Sequence, residues 1–205
     1  MEIVAPEFEI LTPLDPPGIL ARLERAGRIC YRSEGRATEG SSGPFVRALI
    51  HRGHHSVIEH ENLSLRLVCD RGVSHELVRH RLASFSQEST RYVNYGRQGP
   101  GLVVVRPLFF EENSEKYTLW LKAMKAAEAA YLALIEVGAT AQEARSVLPH
   151  SLKTEIIITA NMRQWRHILA LRSSPAAHPQ MREIMSLILA RFQEILPEIF
   201  DFGPG

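Results

Sequence analysis

The sequence predicts a mixed α+β fold, built as a single domain over residues 1–205 with a β-sheet packed against long helices. Short β-branched or alternating runs are interleaved with longer stretches of helical periodicity, and no repeat, linker or low-complexity segment divides the chain. With 205 residues, of which 45% are apolar and 23% charged, the chain has the composition of a globular protein and can bury a sizeable core.

Local patterns place the predicted elements along the chain. Strands are predicted over residues 3–11 (broken at Pro6), 62–67, 102–106 and 155–160, where the sequence is β-branched, apolar or alternating. Helices are predicted after Asp15 and over residues 44–52, 76–81, 111–137, 140–147, 161–171 and 179–195. Their boundaries rest on capping residues such as Ser74 and Thr140, and on glycine or proline beyond the last turn.

The overall charge and the cysteine content exclude several classes of protein. The formal net charge is +1, so charge alone predicts no affinity for nucleic acid or membranes, and any anion site has to be local. Cys30 and Cys69 show neither CxxC nor disulfide spacing, which fits a reducing compartment. The first eleven residues do not resemble a signal peptide, and no apolar run approaches membrane-spanning length. We therefore expect a soluble, cytoplasmic protein.

The arginine-rich segment, residues 79–91, is the most informative part of the chain. It contains three arginines, one histidine and three serines, and Glu88 is its single acidic residue. A guanidinium group binds phosphate through two parallel hydrogen bonds, and serine hydroxyls add further donors. The segment therefore predicts a phosphate or nucleotide site, with a structural alternative: cations also favour the C-terminal end of a helix.

A second basic cluster follows the strand predicted over residues 155–160. Arg163 and His167 are one helical turn apart and share a face, and Arg172 lies beyond them at the C-terminal end of the helix. Asn161 is placed to cap the start of this helix, which is a structural role. Two such clusters in a nearly neutral protein indicate two phosphate-bearing ligands, or one large one.

A third cluster is rich in histidine and includes His51, His54, His55, Glu59 and His60. Imidazole and carboxylate groups are ligands for zinc or iron, but the spacing matches neither an HExxH helix nor a closed zinc module. Histidines that hydrogen-bond a ligand or one another are the favoured interpretation, and no metal is predicted.

Taken together, the motifs carry a resemblance to a known family. Arg79-His80-Arg81, followed by seven residues and then Ser89, resembles the RHR-x7-S signature of the flavin-dependent thymidylate synthases. Three further motifs also look like that family and occur in its order. They are Gly53-His54-x-Ser56-x-x-Glu59-His60, Ala144-Arg145-x-Val147-Leu148-Pro149, and Asn161-x-Arg163 through Arg172. The resemblance covers the chain from about residue 50 to about residue 180.

The resemblance implies FAD as cofactor, NADPH and 5,10-methylenetetrahydrofolate as co-substrates, and the reductive methylation of dUMP to dTMP. It implies flavin contacts from His54, Ser56, Arg79, His80, Arg81, Gln87, Asn161, Arg163 and His167. It implies dUMP contacts from Glu76, Arg79, Gln87, Glu88, Ser89, Thr90, Arg91, Arg145 and Arg172, with Ser89 and Arg91 at the phosphate. Arg172 resembles a catalytic arginine that stabilises negative charge on the uracil, so that C5 becomes more nucleophilic.

The resemblance also implies a homotetramer with active sites between subunits, and chemistry that needs no protein nucleophile. Both cysteines look structural, which agrees with the absence of the activated thiolate that classical thymidylate synthases use. The chain has no GxGxxG fingerprint, so NADPH binding would not use a Rossmann fold. Glu76 stands where the family more usually has glutamine. A carboxylate keeps a hydrogen-bond acceptor but loses the amide donor.

Two other functions are compatible with some of these residues. A non-catalytic nucleotide- or RNA-binding protein would use the same arginines, with Phe85, Tyr92 and Tyr95 as stacking surfaces. A nearly neutral charge and the absence of one basic stripe argue against it. A metallohydrolase would instead use the histidine-rich cluster.

Overall fold

The structure is a computed structural model that describes residues 1–96 and 101–202. Its strands are β1 (Glu2–Val4), β2 (Glu7–Ile10), β3 (Asn62–Asp70), β4 (Ser84–Gln87), β5 (Val103–Val105) and β6 (Lys153–Asn161). Its α-helices are α1 (Pro16–Ile29), α2 (Ser42–His51), α3 (Arg71–Leu77), α4 (Glu115–Glu136), α5 (Ala141–Ala144), α6 (Met162–Arg172), α7 (Pro179–Ile195) and α8 (Pro197–Phe200). Short 3-10 helices cover Glu34–Arg36, His55–His60 and Arg145–Val147. The predicted mixture of helices and strands is confirmed.

The chain divides into two compact units. The first unit comprises Met1–Glu9, Arg66–Arg81 and Phe85–Ile157, and the second comprises Ile10–Leu65, Leu82–Ser84 and Ile158–Gly205, of which residues up to 202 are described. A single domain over residues 1–205 stays a prediction. No helix in the described ranges is both long and apolar enough to cross a membrane.

The strands form two sheets. β1 pairs in parallel with β5, and Glu2 lies opposite Val103. The larger sheet has the order β2-β3-β6-β4. The strand predicted over residues 3–11 is therefore two strands in different sheets, separated at Pro6 as the sequence indicated. Proline lacks an N–H and interrupts a ladder of hydrogen bonds, so the chain changes partners there.

Several predicted helix boundaries are confirmed by their caps. The Asp15 carboxylate accepts the N–H of Gly18 at 3.1 Å, and α1 then begins with Pro16. Thr140 and Glu143 form a reciprocal capping box at the start of α5. Gly138 follows α4 with φ of +93°, a conformation that glycine adopts without strain.

The helix predicted over residues 76–81 with Ser74 as its cap is wrong. α3 begins directly at the end of β3, because the Asp70 side chain accepts the N–H of Val73 at 2.9 Å and caps the helix four residues earlier. Ser74 is buried inside α3, and its hydroxyl donates to the carbonyl of Arg71 at 3.0 Å. Consequently α3 ends at Leu77, before the arginine-rich segment begins.

The core of the first unit lies around α4. Tyr131 of α4 is buried with Leu102, Ala144 and Leu152. About two to three turns closer to the start of α4, Met124 and Trp120 pack with Val104 of β5. α4 begins at Glu115, four residues later than predicted, because Ser114 caps the helix by accepting the N–H of Tyr117 at 3.1 Å.

The core of the second unit is formed by helices. Trp165 of α6 is fully buried, donates its indole N–H to the carbonyl of Leu63 at 3.0 Å, and meets Phe192 of α7 edge to face at 5.8 Å. Phe192 in turn packs against Phe200 of α8 with ring centroids 4.7 Å apart. This packing fixes which face of α6 points inward, and it leaves Arg163 and His167 on the accessible side of that helix.

A buried ion pair lies inside α1. Glu24 and Arg28 are 5% and 8% exposed, and one Glu24 oxygen accepts from Arg28 Nη2 at 2.6 Å and from the Ser41 hydroxyl at 2.7 Å. The Arg28 guanidinium also stacks on the ring of Phe45 at 4.5 Å. Because both charges are removed from water, each depends on the other for compensation.

We expect Arg28→Met to lower the free energy of unfolding by about 3 kcal/mol, since the Glu24 carboxylate is left buried without its cation. Urea unfolding monitored by circular dichroism measures the change. Arg25→Met on the same helix is the matched control, because Arg25 is exposed and should change stability by less than about 0.5 kcal/mol. Equal losses in the two variants would contradict a role for the buried pair.

Candidate active site

The structure places the predicted site residues in two clusters, one in each unit. The first unit holds Glu76, Arg79, His80, Arg81, Gln87, Glu88, Ser89, Thr90, Arg91 and Arg145. The second holds His54, Ser56, Asn161, Arg163, His167 and Arg172.

In the first cluster, exposed and buried side chains alternate at the start of the arginine-rich segment. Arg79 and Arg81 are exposed, whereas His80 between them is 6% exposed. The backbone turns directly after α3, where the N–H of His80 donates to the carbonyl of Leu77 at 3.0 Å. This turn sets the pattern. Two guanidinium groups are thus accessible to an anion while the histidine is held inside.

Gln87, at the end of β4, is fixed by two buried hydroxyl groups. Its amide nitrogen donates to Ser74 Oγ at 2.8 Å and to Thr154 Oγ1 at 3.2 Å. Both partners have no exposed surface. Arg71 reaches the same threonine hydroxyl at 3.3 Å, so α3, β4 and β6 share one hydrogen-bond network. The amide orientation of Gln87 is therefore set before any ligand binds.

Every polar group of Glu88 has a protein partner. Its N–H donates to the carbonyl of Glu155 at 2.9 Å, and its carbonyl accepts from Arg71 at 3.1 Å. Its carboxylate accepts from the Tyr95 hydroxyl at 2.8 Å and from Lys153 Nζ at 3.2 Å. Sequence reasoning predicted Glu88 as a ligand contact and did not identify these partners.

Polar groups remain accessible on Ser89 and Arg91, which follow Glu88. Ser89 is half-buried, and its hydroxyl accepts the N–H of Arg91 at 3.3 Å, which forms a local turn. Thr90 is buried, and Arg91 is exposed with its guanidinium 5.5 Å from the ring centre of Tyr92. Arg145 is exposed on its own 3-10 helix. This arrangement presents a hydroxyl and a guanidinium from one turn, which suits a phosphate group.

The pKa shifts around Glu88 favour the charged forms of Glu155 and Lys153 and the neutral form of Tyr95. Hydrogen bonds from Lys153 and then Arg66 outweigh partial burial and hold the pKa of Glu155 below its usual range. Burial alone would lower the pKa of Lys153, but its bonds to Glu155 and Glu88 outweigh that effect and raise it. Burial, followed by the hydrogen bond to Glu88, raises the pKa of Tyr95, so this phenol stays a donor.

In the second cluster, a cavity of about 540 Å³ gathers residues from three separate motifs. Asn161, Arg163, Gln164 and His167 line it from α6 and its cap, Glu59 lines it from the histidine-rich cluster, and Leu82 lines it from the arginine-rich segment. The volume lies within the range of ligand sites, about 300–1,000 Å³. The structure thus brings the predicted residues Asn161, Arg163 and His167 to one concave surface.

The cavity wall is organised by the start of α6. Asn161 caps the helix by accepting the N–H of Gln164 at 2.8 Å, as the sequence predicted. Arg163 forms an ion pair with Glu59 at 2.5 Å, and both side chains are partly exposed. A guanidinium that faces an open cavity with a weak, solvated partner can exchange that partner for an anionic ligand.

The remaining predicted residues of this unit lie elsewhere. His54 and Ser56 are exposed at the start of the 3-10 helix His55–His60 and do not line this cavity. Arg172 is half-buried at the end of α6, about 7.5 Å along the helix axis from His167. Arg166 points to another cavity, where it donates to the carbonyl of Ile199 and stacks on Phe202 at 4.7 Å.

The histidine-rich cluster does not assemble a metal site in the described residues. No group of three or more His, Cys, Asp or Glu side chains within residues 1–96 and 101–202 is arranged to hold a metal ion. The His55 ring instead hydrogen-bonds the carbonyl of Ile50 at 3.2 Å. Such a bond is structural and stabilises the turn after α2.

The two cysteines differ in environment. Cys69 is buried in β3, and desolvation raises the pKa of its thiol to about 12. Cys30 is exposed at the end of α1. Cys69 therefore has no thiolate available for nucleophilic attack near neutral pH.

Comparison with known proteins decides the family. The family described as "Thymidylate synthase complementing protein" matches residues 15–198. The chain belongs to this family.

Relatives named flavin-dependent thymidylate synthase include those of Geobacter sulfurreducens and Mycolicibacterium gilvum. The first is 35% identical over 193 residues, covering 90% of this chain and 82% of the relative. The second is 34% identical over 214 residues, covering 96% and 83%. The resemblance seen in the RHR-x7-S signature is confirmed.

A solved structure shares the fold of this thymidylate synthase family member. The UMP/dUMP methylase PolB from Streptomyces cacaoi, bound with 5-Br dUMP, superposes with a TM-score of 0.80. The alignment covers 98% of this chain and 96% of PolB at 22% sequence identity. This likeness concerns the fold.

Sequence reasoning missed several residues that the structure places at the two clusters. Leu82 and Gln164 line the cavity, and Glu59 was considered only as a metal ligand. Lys153 binds Glu88 from 65 residues away, and Tyr95, considered only as a stacking surface, binds it from seven residues away. Glu59, Leu82 and Gln164 lie within the family motifs, which is a signal that could have identified them; no local pattern marks the bonds of Lys153 and Tyr95 to Glu88.

We expect a thiol reagent such as iodoacetamide at pH 8 to modify Cys30 and not Cys69 in the folded protein, since burial and the raised pKa of Cys69 keep it protonated. Peptide mass spectrometry after a short exposure measures the modification at each site. The same reaction in urea is the control and should modify both. Rapid modification of Cys69 in the folded protein would contradict the buried position.

Proposed function

We propose that this protein catalyses the reductive methylation of dUMP to dTMP, with 5,10-methylenetetrahydrofolate as carbon donor and NADPH as the reductant of bound FAD. The observation that carries the proposal is the cavity in which three separated motifs of the family signature meet. The names of the relatives, flavin-dependent thymidylate synthase, support the same activity. We also propose a cytoplasmic homotetramer with active sites between subunits, as the family resemblance implies.

The residues of the second cluster fit a flavin. Its cavity offers hydrogen-bond donors from Asn161, Arg163, Gln164 and His167, together with the apolar surface of Leu82. The ring of a flavin carries carbonyl and nitrogen acceptors on an otherwise apolar, planar surface, and FAD adds a pyrophosphate that guanidinium groups bind well. When bound and reduced by NADPH, the flavin would supply the hydride that the methylation requires. In this proposal Arg163 and His167 hold the cofactor, with His54, Ser56, Arg79, His80 and Arg81 as further contacts.

The residues of the first cluster fit a nucleotide. Ser89 and Arg91 offer a hydroxyl and a guanidinium from one turn, and these groups would hold the phosphate of dUMP. Gln87 presents a preoriented amide beside them. We assign Glu76, Arg79, Thr90, Arg145 and Arg172 to the remaining dUMP contacts, with Arg172 stabilising negative charge on the uracil ring so that C5 becomes nucleophilic.

The cysteine environments support a reaction without a protein nucleophile. A classical mechanism attacks uracil C6 with an activated thiolate. Cys69 is buried with a pKa of about 12, and neither cysteine belongs to either cluster. The protein's part is then to orient the ligands, exclude water and stabilise charge, whereas the cofactor carries the redox step.

The decisive experiment is release of tritium from dUMP labelled at C5, with NADPH, FAD and 5,10-methylenetetrahydrofolate present. Release that depends on NADPH, FAD and 5,10-methylenetetrahydrofolate supports the proposal. Purified protein that is colourless, cannot be reconstituted with FAD and releases no tritium would overturn it. Salt-dependent binding of RNA by such protein would favour the non-catalytic alternative.

We expect Arg163→Met to weaken FAD binding by roughly tenfold, because a charged hydrogen-bond donor leaves the cavity wall. Flavin fluorescence quenching on titration of the apoprotein measures the dissociation constant. Arg191→Met is the matched control, since Arg191 forms a similar exposed ion pair with Glu194 at 2.9 Å in the same unit, away from the cavity. Identical affinities in the two variants would remove Arg163 from the flavin site.

We expect Arg172→Ala to lower kcat by roughly 10²–10³-fold while flavin stays bound, because charge on the uracil ring loses its stabilising cation. Arg91→Ala should instead raise the KM for dUMP about tenfold, since it removes a phosphate contact. Steady-state tritium release and the flavin absorbance of each purified variant separate these effects. Unchanged turnover in Arg172→Ala would contradict its catalytic role, and loss of flavin from Arg91→Ala would contradict the division between the clusters.

A further inference from the structure

We propose that Glu88 is an anchor rather than a ligand contact, and that Lys153 and Tyr95 are positioning residues that hold residues 89–91 in place for the phosphate of the nucleotide. The inference rests on the proposed function, because it concerns how the dUMP phosphate is bound. It reassigns Glu88, which the family resemblance placed among the dUMP contacts. It also adds two residues that lie outside the family motifs.

The geometry at Glu88 leaves little capacity for a ligand. Its backbone is bonded on both sides, to Arg71 and Glu155, and its two carboxylate oxygens accept from Tyr95 at 2.8 Å and Lys153 at 3.2 Å. The carboxylate is largely buried, with 17% of the side chain exposed. A residue held by β6, by α3 and by a loop tyrosine cannot move without breaking several of these bonds. Ser89, the next residue, is therefore fixed at its N-terminal side.

Charge gives a reason for this anchor. A carboxylate one residue away from a bound phosphate repels it, and this cost falls when a cation neutralises the carboxylate. Lys153 provides that cation, and Tyr95 occupies the other carboxylate oxygen with a proton donor whose pKa is raised by burial and by Glu88 itself. Together they allow an acidic residue to stand beside an anion site.

Lys153 is itself held away from a ligand. Its ammonium donates to Glu155 at 2.6 Å as well as to Glu88, and Glu155 accepts from Arg66 at 2.7 Å. Two carboxylates thus share the Lys153 ammonium, which favours its charged form and restricts its rotation. For this reason Lys153 acts on the nucleotide through Glu88 and not by touching the phosphate.

The test compares dUMP binding in flavin-loaded variants. We expect Lys153→Met and Tyr95→Phe each to raise the KM and the Kd for dUMP roughly five- to tenfold, with kcat at saturating dUMP changing less than twofold. Lys153→Arg should restore most of the affinity, because it replaces the cation. Lys125→Met and Tyr31→Phe are matched controls, since both side chains are exposed and lie outside the two clusters.

A double-mutant cycle separates the anchor from a direct contact. In a Glu88→Gln background, Lys153→Met should change dUMP affinity less than twofold, because the group through which Lys153 acts has lost its charge. Equal effects of Lys153→Met in both backgrounds would show that Lys153 touches the nucleotide and would overturn the proposal. Affinity unchanged by Lys153→Met, or a parallel loss of flavin, kcat and melting temperature, would also overturn it.

Failure of the proposed function gives a different result. If the wild-type holoprotein binds no dUMP by calorimetry and releases no tritium, the assignment of the nucleotide site itself is wrong. If the wild type binds and converts dUMP while Lys153→Met and Tyr95→Phe behave like their controls, only the anchor is wrong.

Discussion

The bonds around Glu88 determine how the arginine-rich segment can act. A segment with several guanidinium groups and few acidic residues repels itself and would be free to sample many conformations. Here the Glu88 carboxylate, bonded by Lys153 and Tyr95, connects the segment to β6 and to the loop that contains Tyr95. Gln87, one residue earlier, is held by two buried hydroxyls. The accessible cations therefore stand on a fixed backbone, and little ordering is left for the moment of ligand binding.

A comparable constraint shapes the cavity of the second unit. Asn161 ends β6 and caps α6 with its side chain, so one residue sets both the direction of the helix and the position of its first turn. Burial of Trp165 then fixes the rotation of α6 about its axis. Arg163 and His167 share the cavity because helical spacing places them on the face opposite that tryptophan. The geometry of the cavity therefore depends on the Asn161 cap and on the burial of Trp165.

Much of the fold and part of the site could be predicted from sequence, for identifiable reasons. Asp15 and Asn161 cap helices through contacts three residues away, and such local signals are readable in the chain. Ser74 misled the prediction, because its hydroxyl has partners inside and outside α3 while Asp70 is the cap. Lys153 lies 65 residues from Glu88, and no local pattern reports a pairing set by neighbouring strands. Long-range polar contacts such as this one could therefore not be predicted from the sequence.

The row of charges from Arg66 through Glu155 and Lys153 to Glu88 has a consequence for the ionic strength at which the protein works. Side chains in this row are 17–38% exposed, so dissolved ions reach them and weaken their mutual attraction. Salt also screens the attraction between guanidinium groups and a phosphate. At the proposed nucleotide site, ionic strength would therefore act twice: on the phosphate contacts of Ser89 and Arg91, and on the ion pairs that hold Glu88. The proposed phosphate site, supported by these ion pairs, would be more sensitive to salt than its phosphate contacts alone would make it.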